Sequence, residues 1–212
     1  MKNVTQIVLL ISFGLAVQNS FAGSATWNVN PSTGDWNTAA NWTPATVPDG
    51  FADIATFAVS NKTNISVSSG TEVYSIVFTS AASVFTISPS INGGLNLSQD
   101  GILNNSGVVQ AFDIPTDASN AQAFINFFNN ATAGSNTLFT VSGTTTGLNG
   151  GSVNFYNEST ADHASFVLSA GLTVGGTSAG GQVTFSSNAT AGNGNFVCQG
   201  SGDGVDIRTG EN

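Results

Sequence analysis

One segment of this chain is written three times. Ile125-Asn-Phe-Phe-Asn-Asn-Ala-Thr-Ala-Gly134, Val153-Asn-Phe-Tyr-Asn-Glu-Ser-Thr-Ala-Asp162 and Val183-Thr-Phe-Ser-Ser-Asn-Ala-Thr-Ala-Gly192 lead into Leu138-Phe139, Phe166-Val167 and Phe196-Val197. The equivalent aromatics Phe127, Phe155 and Phe185 stand 28 and 30 residues apart, and a second apolar position follows each by 11, at Leu138, Phe166 and Phe196. Self-similarity of this period implies a solenoid, in which each unit buries its apolar face only against its neighbours. Phe127, Phe155 and Phe185 are then expected to stack as an internal aromatic column.

The strand type follows from local pattern. Asp53–Val59, Val73–Phe78, Val84–Ile87 and Val108–Phe112 alternate apolar and polar residues of β-branched and aromatic character, the period of a half-buried strand. No stretch carries a helical stripe. The 25 glycines, with Asn and Ser between runs, favour strands joined by turns. A sandwich would need no sequence repeat, whereas the observed period fits a coil of about three strands plus turns. The expected fold is all-β: a right-handed parallel β-helix (solenoid) with an aromatic N-terminal cap. The cap is placed at residues 23–50, where Trp27, Trp36 and Trp42 lie, because a terminal repeat must cover an otherwise open apolar end. Coils then occupy residues 51–199, with clear repeats over 125–199, and a polar tail occupies 200–212.

Residues 1–22 have the three parts of a secretory signal peptide: Lys2, an apolar run from Ile7 to Val17, and Ser20-Phe21-Ala22 before the cleavage point. That run is too short to span a bilayer, and no later segment offers a transmembrane helix. The whole chain has a formal net charge of −9; removing the leader takes away Lys2, one positive charge, and leaves −10. Only Lys62 and Arg208 then remain as strong cations, which argues against nucleic acid as a partner. Cys198 is the single cysteine, so no intramolecular disulfide can form. At the end of a repeat strand it reads as a small buried apolar residue rather than a reactive thiol.

No residue set reads as catalytic, cofactor-binding or metal-ligating. His163, the only histidine, takes the repeat position of Ser135 and Asn193 and reads as a surface-turn residue beside Asp162. The acid pairs Asp49/Asp53, Asp113/Asp117 and Asp203/Asp206 have the spacing to be weighed for glycoside chemistry, but two of the three sit in ordinary Gly-containing turns. Gly200-Ser-Gly-Asp-Gly204 is one weak echo of a calcium-binding nonapeptide. Asn41, Asn130 and Asn188 head Asn-x-Thr triplets, which matter only in a host that glycosylates them. Thr132, Thr160 and Thr190 repeat in step; the choice lies between an ice-binding array and a corner turn bonded by Thr, and the turn is favoured.

Trp36-Asn-Thr-Ala-Ala-Asn-Trp42, the Val47-Pro-Asp-Gly50 turn and Asp53-Ile-Ala-Thr-Phe57 resemble the start of many bacterial surface and secreted proteins. The Asn-Ala-Thr-Ala-Gly-Asn coils resemble those of autotransporter passenger domains. The resemblance implies a secreted or outer-membrane-associated surface protein with a structural or adhesin-like role. Its partners would be a host-cell, matrix or carbohydrate surface, with a C-terminal translocator barrel if the chain is a fragment. That barrel does not occur before Asn212, and the C-terminal end shows no aromatic cap, so a fragment or truncated product is the expectation. The alternatives are a polysaccharide-active β-helix lyase or hydrolase, and a surface-layer or matrix component.

Overall fold

The structure, a computed structural model, describes residues 23–91, 93–117, 121–144, 149–171 and 180–200, and the backbone of 206–209. The leader expected at residues 1–22 lies outside the described residues. In chain order the strands are β1 (Ala25–Trp27), β2 (Trp42–Thr43), β3 (Gly50–Phe57), β4 (Asn64–Val67), β5 (Thr71–Phe78), β6 (Thr86–Pro89), β7 (Gly94–Asn104) and β8 (Gln110–Ile114). They continue as β9 (Phe124–Phe127), β10 (Thr137–Val141), β11 (Ser152–Phe155), β12 (Ser165–Ser169), β13 (Gln182–Phe185), β14 (Asn195–Gln199) and β15 (Asp206–Thr209). Among the described residues the one helical element is a 3₁₀ turn at Ala39–Asn41. The protein is all-β.

From β3 onward the odd strands stack in one sheet and the even strands in a second, and every such pairing is parallel. The chain is therefore a β-solenoid, and the six strands of the second sheet mark about six turns among the described residues. In that sheet one inward column runs Ile65, Ile87, Phe112, Phe139, Phe166, Phe196. Its members stand 22, 25, 27, 27 and 30 residues apart. The coil lengthens as the chain proceeds.

Two details differ from the sequence-based expectation. The second aromatic column takes Phe139, not Leu138, in register with Phe166 and Phe196. Three residues, 134–136, turn the first corner where two, 162–163, turn the next, so equal spacing from Phe127 lands one position early. The later coils also have two strands, not about three. In β3 and β5, and in β5 and β7, irregularities split each pairing into two registers, so these long strands serve two faces of the coil. After β7 the second face shrinks to one bridge residue per coil, Gly101 to Thr132 to Thr160 to Thr190.

The core is a stack of rings. Phe127, Phe155 and Phe185 lie nearly parallel, with centroids 4.6 and 4.9 Å apart. Phe112, Phe139, Phe166 and Phe196 form a second column at 5.0, 4.8 and 4.8 Å. Edge-to-face contacts at 6.0, 6.1 and 6.0 Å tie the columns together within each coil. Both geometries are favoured arrangements of ring quadrupoles. The aromatic column anticipated from the repeats is present, joined to a second.

At the N-terminal end Trp27, Trp36 and Trp42 are buried and close around Phe57. Each indole N–H reaches a backbone carbonyl, that of Lys62, Pro48 and Trp36 respectively, so these large side chains are buried without leaving a donor unsatisfied. β2 pairs antiparallel with β1 and closes the first sheet. The segment around Asp35 bridges Ser66 and covers β4, the first strand of the second sheet. The buried amide of Asn41 pins the loop by accepting from Ser32 Oγ and the Thr33 N–H and donating to Thr33 Oγ1 and the Asp35 carbonyl. Partial burial alone would raise the Asp35 carboxyl pKa. Hydrogen bonds from the side chains of Ser68 and Thr38 and the backbone of Asn37 and Ser68 outweigh that and hold it below its ordinary value.

The opposite end is built differently. Cys198 stands in the inward column after Val141 and Leu168, yet it is exposed. The expected burial fails because alternation sets which way a side chain points, while cover needs a further rung above it. In the tail, Asp206–Thr209 pairs parallel with β13 and adds a rung to the first sheet; residues 201–205 and 210–212 lie outside the described residues.

The corner after each odd strand places Asn129, Asn157 and Ser187 at φ of 54°, 59° and 59°. Asn tolerates this left-handed region better than Ser does. The Asn129 N–H also donates to Asn157 Oδ1 at 3.1 Å, an acceptor that Ser187 cannot place for the coil before it. Ser187→Asn should therefore raise stability by about 0.5–1 kcal/mol, or roughly 2 °C in melting temperature. Thermal unfolding checks this, and a lowered midpoint would refute the corner argument.

Candidate functional site

The residues weighed for chemistry do not converge. His163 is 58% exposed on its turn; in the Nδ1–H tautomer it donates to Asp162 Oδ1 at 2.6 Å and accepts from Asn193 Nδ2 at 3.1 Å. It links two adjacent corners. Asp53 accepts from the Asp49 N–H, and Asp49 accepts from the Glu72 N–H, so this pair ties a turn to the next coil. Asp113 is exposed on β8, and the Asp117 carbonyl accepts from Thr144 Oγ1. Asp203 and the side chain of Asp206 lie outside the described residues, as does most of Gly200–Gly204. Among the described residues no three His, Cys, Asp or Glu side chains gather as a metal site would require.

The threonines line up, and their hydroxyls are committed to the corner. Thr132 Oγ1 accepts from the Gly134 N–H and Thr160 Oγ1 from the Asp162 N–H, both at 3.0 Å, while Thr190 donates to Thr160 at 3.1 Å. This is the turn role that the spacing favoured. Of the triplet asparagines, Asn130 and Asn188 are exposed, whereas Asn41 is buried with its amide fully occupied.

A more organised surface lies on the outside of the first sheet. Glu72, Asn96, Asn126 and Asn154 form one outward column. Asn126 Nδ2 donates to Asn96 Oδ1 and Asn154 Nδ2 to Asn126 Oδ1, each at 3.0 Å. Two residues along, Phe128 and Tyr156 stack at 5.1 Å and 11°, both half-buried. The ring stack stops at Phe128 because the preceding coil offers Ser98, whose hydroxyl donates to the Phe51 and Val73 carbonyls. The result is an open concavity of about 400 Å³ lined by Glu72, Asn96, Ser98, Phe128, Asn129 and Asn157.

Sequence reasoning missed this surface. Its signal was present in the repeats, where Phe128 and Tyr156 follow the buried Phe127 and Phe155. Strand alternation requires one aromatic of each pair to face outward. No family model, no curated protein and no solved structure matches the chain. No helix among the described residues is long and apolar enough to cross a membrane.

Proposed function

We propose that this chain is a secreted or cell-surface β-solenoid with a structural, adhesin-like role, carried as part of an autotransporter passenger and without catalytic activity of its own. The observation that carries this reading is a ring-stacked interior beneath an exterior of Asn and Thr ladders. An interior of interlocked rings makes a stiff body, since a close-packed core transmits strain. A polar, charge-poor exterior keeps that body soluble without a basic face for nucleic acid or anionic lipid. The three-part leader of residues 1–22 supports export, and the closed tryptophan end is what a solenoid needs to avoid end-to-end aggregation.

The test is fractionation of the source cells with an antibody raised against residues 23–212. The expected result is a protease-accessible species at the cell surface or in the medium, larger than this chain if a translocator follows, with a mature N-terminus at Gly23. A cytosolic species that retains residues 1–22 would overturn the proposal.

A further inference from the structure

We infer that the concavity between Glu72 and Phe128 binds a neutral glycan chain, a site that rests on the proposed adhesive role and gives it a ligand class. Tyr156 covers one face of Phe128, and no second ring among the described residues stacks on it. Phe128, and not Tyr156, lines the concavity. An aromatic ring with one covered face and one polar-edged opening is suited to the apolar C–H face of a pyranose, which needs a flat partner and tolerates water around its rim. The hydroxyls of such a ring need groups that both donate and accept. Among the lining residues Asn96 supplies these: its Oδ1 accepts from Asn126 Nδ2, and its own Nδ2 faces no acceptor in the ladder. The Glu72 carboxylate adds a charge-assisted acceptor for a hydroxyl donor.

Charge selects among glycans. The chain's net charge is −9 with three Lys and Arg in all, and the six residues lining the concavity include Glu72 and no cation. Uronate- or sulfate-bearing polymers would be repelled, and a neutral one would not. A peptide is a poorer fit because the first sheet's backbone groups here are spent between coils, leaving no free edge for strand addition. Rungs recur every ~4.8 Å, so the amide ladder presents regularly spaced partners along a linear polymer.

The experiment is affinity gel electrophoresis of the purified protein, residues 23–212, in gels holding xylan, galactomannan or hydroxyethyl cellulose, with polygalacturonate and chondroitin sulfate as anionic counterparts. At least one neutral polymer is expected to retard the protein, and neither anionic polymer should. Phe128→Ala and Glu72→Gln should each weaken retardation about tenfold, Phe128→Leu should weaken it with stability preserved, and Val84→Ser, at an exposed position just before β6, should leave it unchanged. Circular dichroism confirms that each variant is folded. No retardation by any neutral polymer, or retardation indifferent to Phe128 and Glu72, overturns the site. A surface-displayed chain that ignores glycans sinks this site alone, whereas a cytosolic chain that binds them through Phe128 sinks the adhesive reading instead.

Discussion

Phe155→Asp will take the later coils apart and leave the tryptophan cap folded. Phe155 is fully buried, stacks on Phe127 at 4.6 Å and Phe185 at 4.9 Å, and meets Phe166 edge to face. Truncating such a ring costs about 3–5 kcal/mol, and an unpaired buried carboxylate adds several more. Because a solenoid's coils contact only their neighbours, that loss falls on β9 to β14 before it reaches β1 to β5. All three tryptophans lie at the far end, so their emission should stay blue-shifted while much of the β-sheet circular dichroism is lost. Phe155→Leu, which removes ring pairing but keeps apolar volume, should lose roughly 1–3 kcal/mol and remain folded. Native-like unfolding midpoints in Phe155→Asp would show that the column does not hold these coils.

Gly101→Ala should be nearly as damaging, by a different route. Gly101 sits at φ +75°, and a Cβ there would stand 2.2 Å from the Thr132 carbonyl oxygen and 2.4 Å from its nitrogen. The obstacle is hydrogen-bonded backbone: Ile102 N–H donates to the Thr132 carbonyl at 2.8 Å, and Thr132 N–H donates to Asp100 at 3.3 Å. An added methyl must break this bridge and also carry the left-handed backbone cost. Together these amount to about 3–5 kcal/mol, or on the order of 10 °C in melting temperature. Hydrogen exchange should show lost protection at residues 101–105 and 131–134 first. Gly107, also at positive φ but with nothing within 4 Å of its Cβ position, is the control. If Gly101→Ala and Gly107→Ala lose stability equally, backbone conformation and not the close approach sets the cost.

The repeats announced the solenoid because the later coils share one corner, Asn/Ser-x-Ala/Ser-Thr-Ala, whose left-handed position and Thr-bonded turn restrict the residues that fit. The earlier coils were harder to read. Their column spacings begin at 22 and 25 residues, and their strands bend through the register shifts of β3, β5 and β7, so no common string marks them. The Leu138 misplacement came from a one-residue difference in turn length, which spacing cannot distinguish from a different register. Cys198 shows another boundary: alternation gives direction, but burial depends on the neighbour above. The outward groove escaped for a related reason. Phe128 and Tyr156 lie next to core aromatics in sequence, and only the Ser98 hydroxyl turning toward Phe51 and Val73 leaves the space beside them open.

The coil of β11 and β12 finds in the coils before and after it partners in register along both strands. Nothing in such a stack prescribes how many rungs it must have. Adding or removing one coil of about 28–30 residues leaves both ends unaltered and changes the span by ~4.8 Å. Reach is thus a quantity that gene duplication can tune in uniform steps, independently of the cap that closes one end.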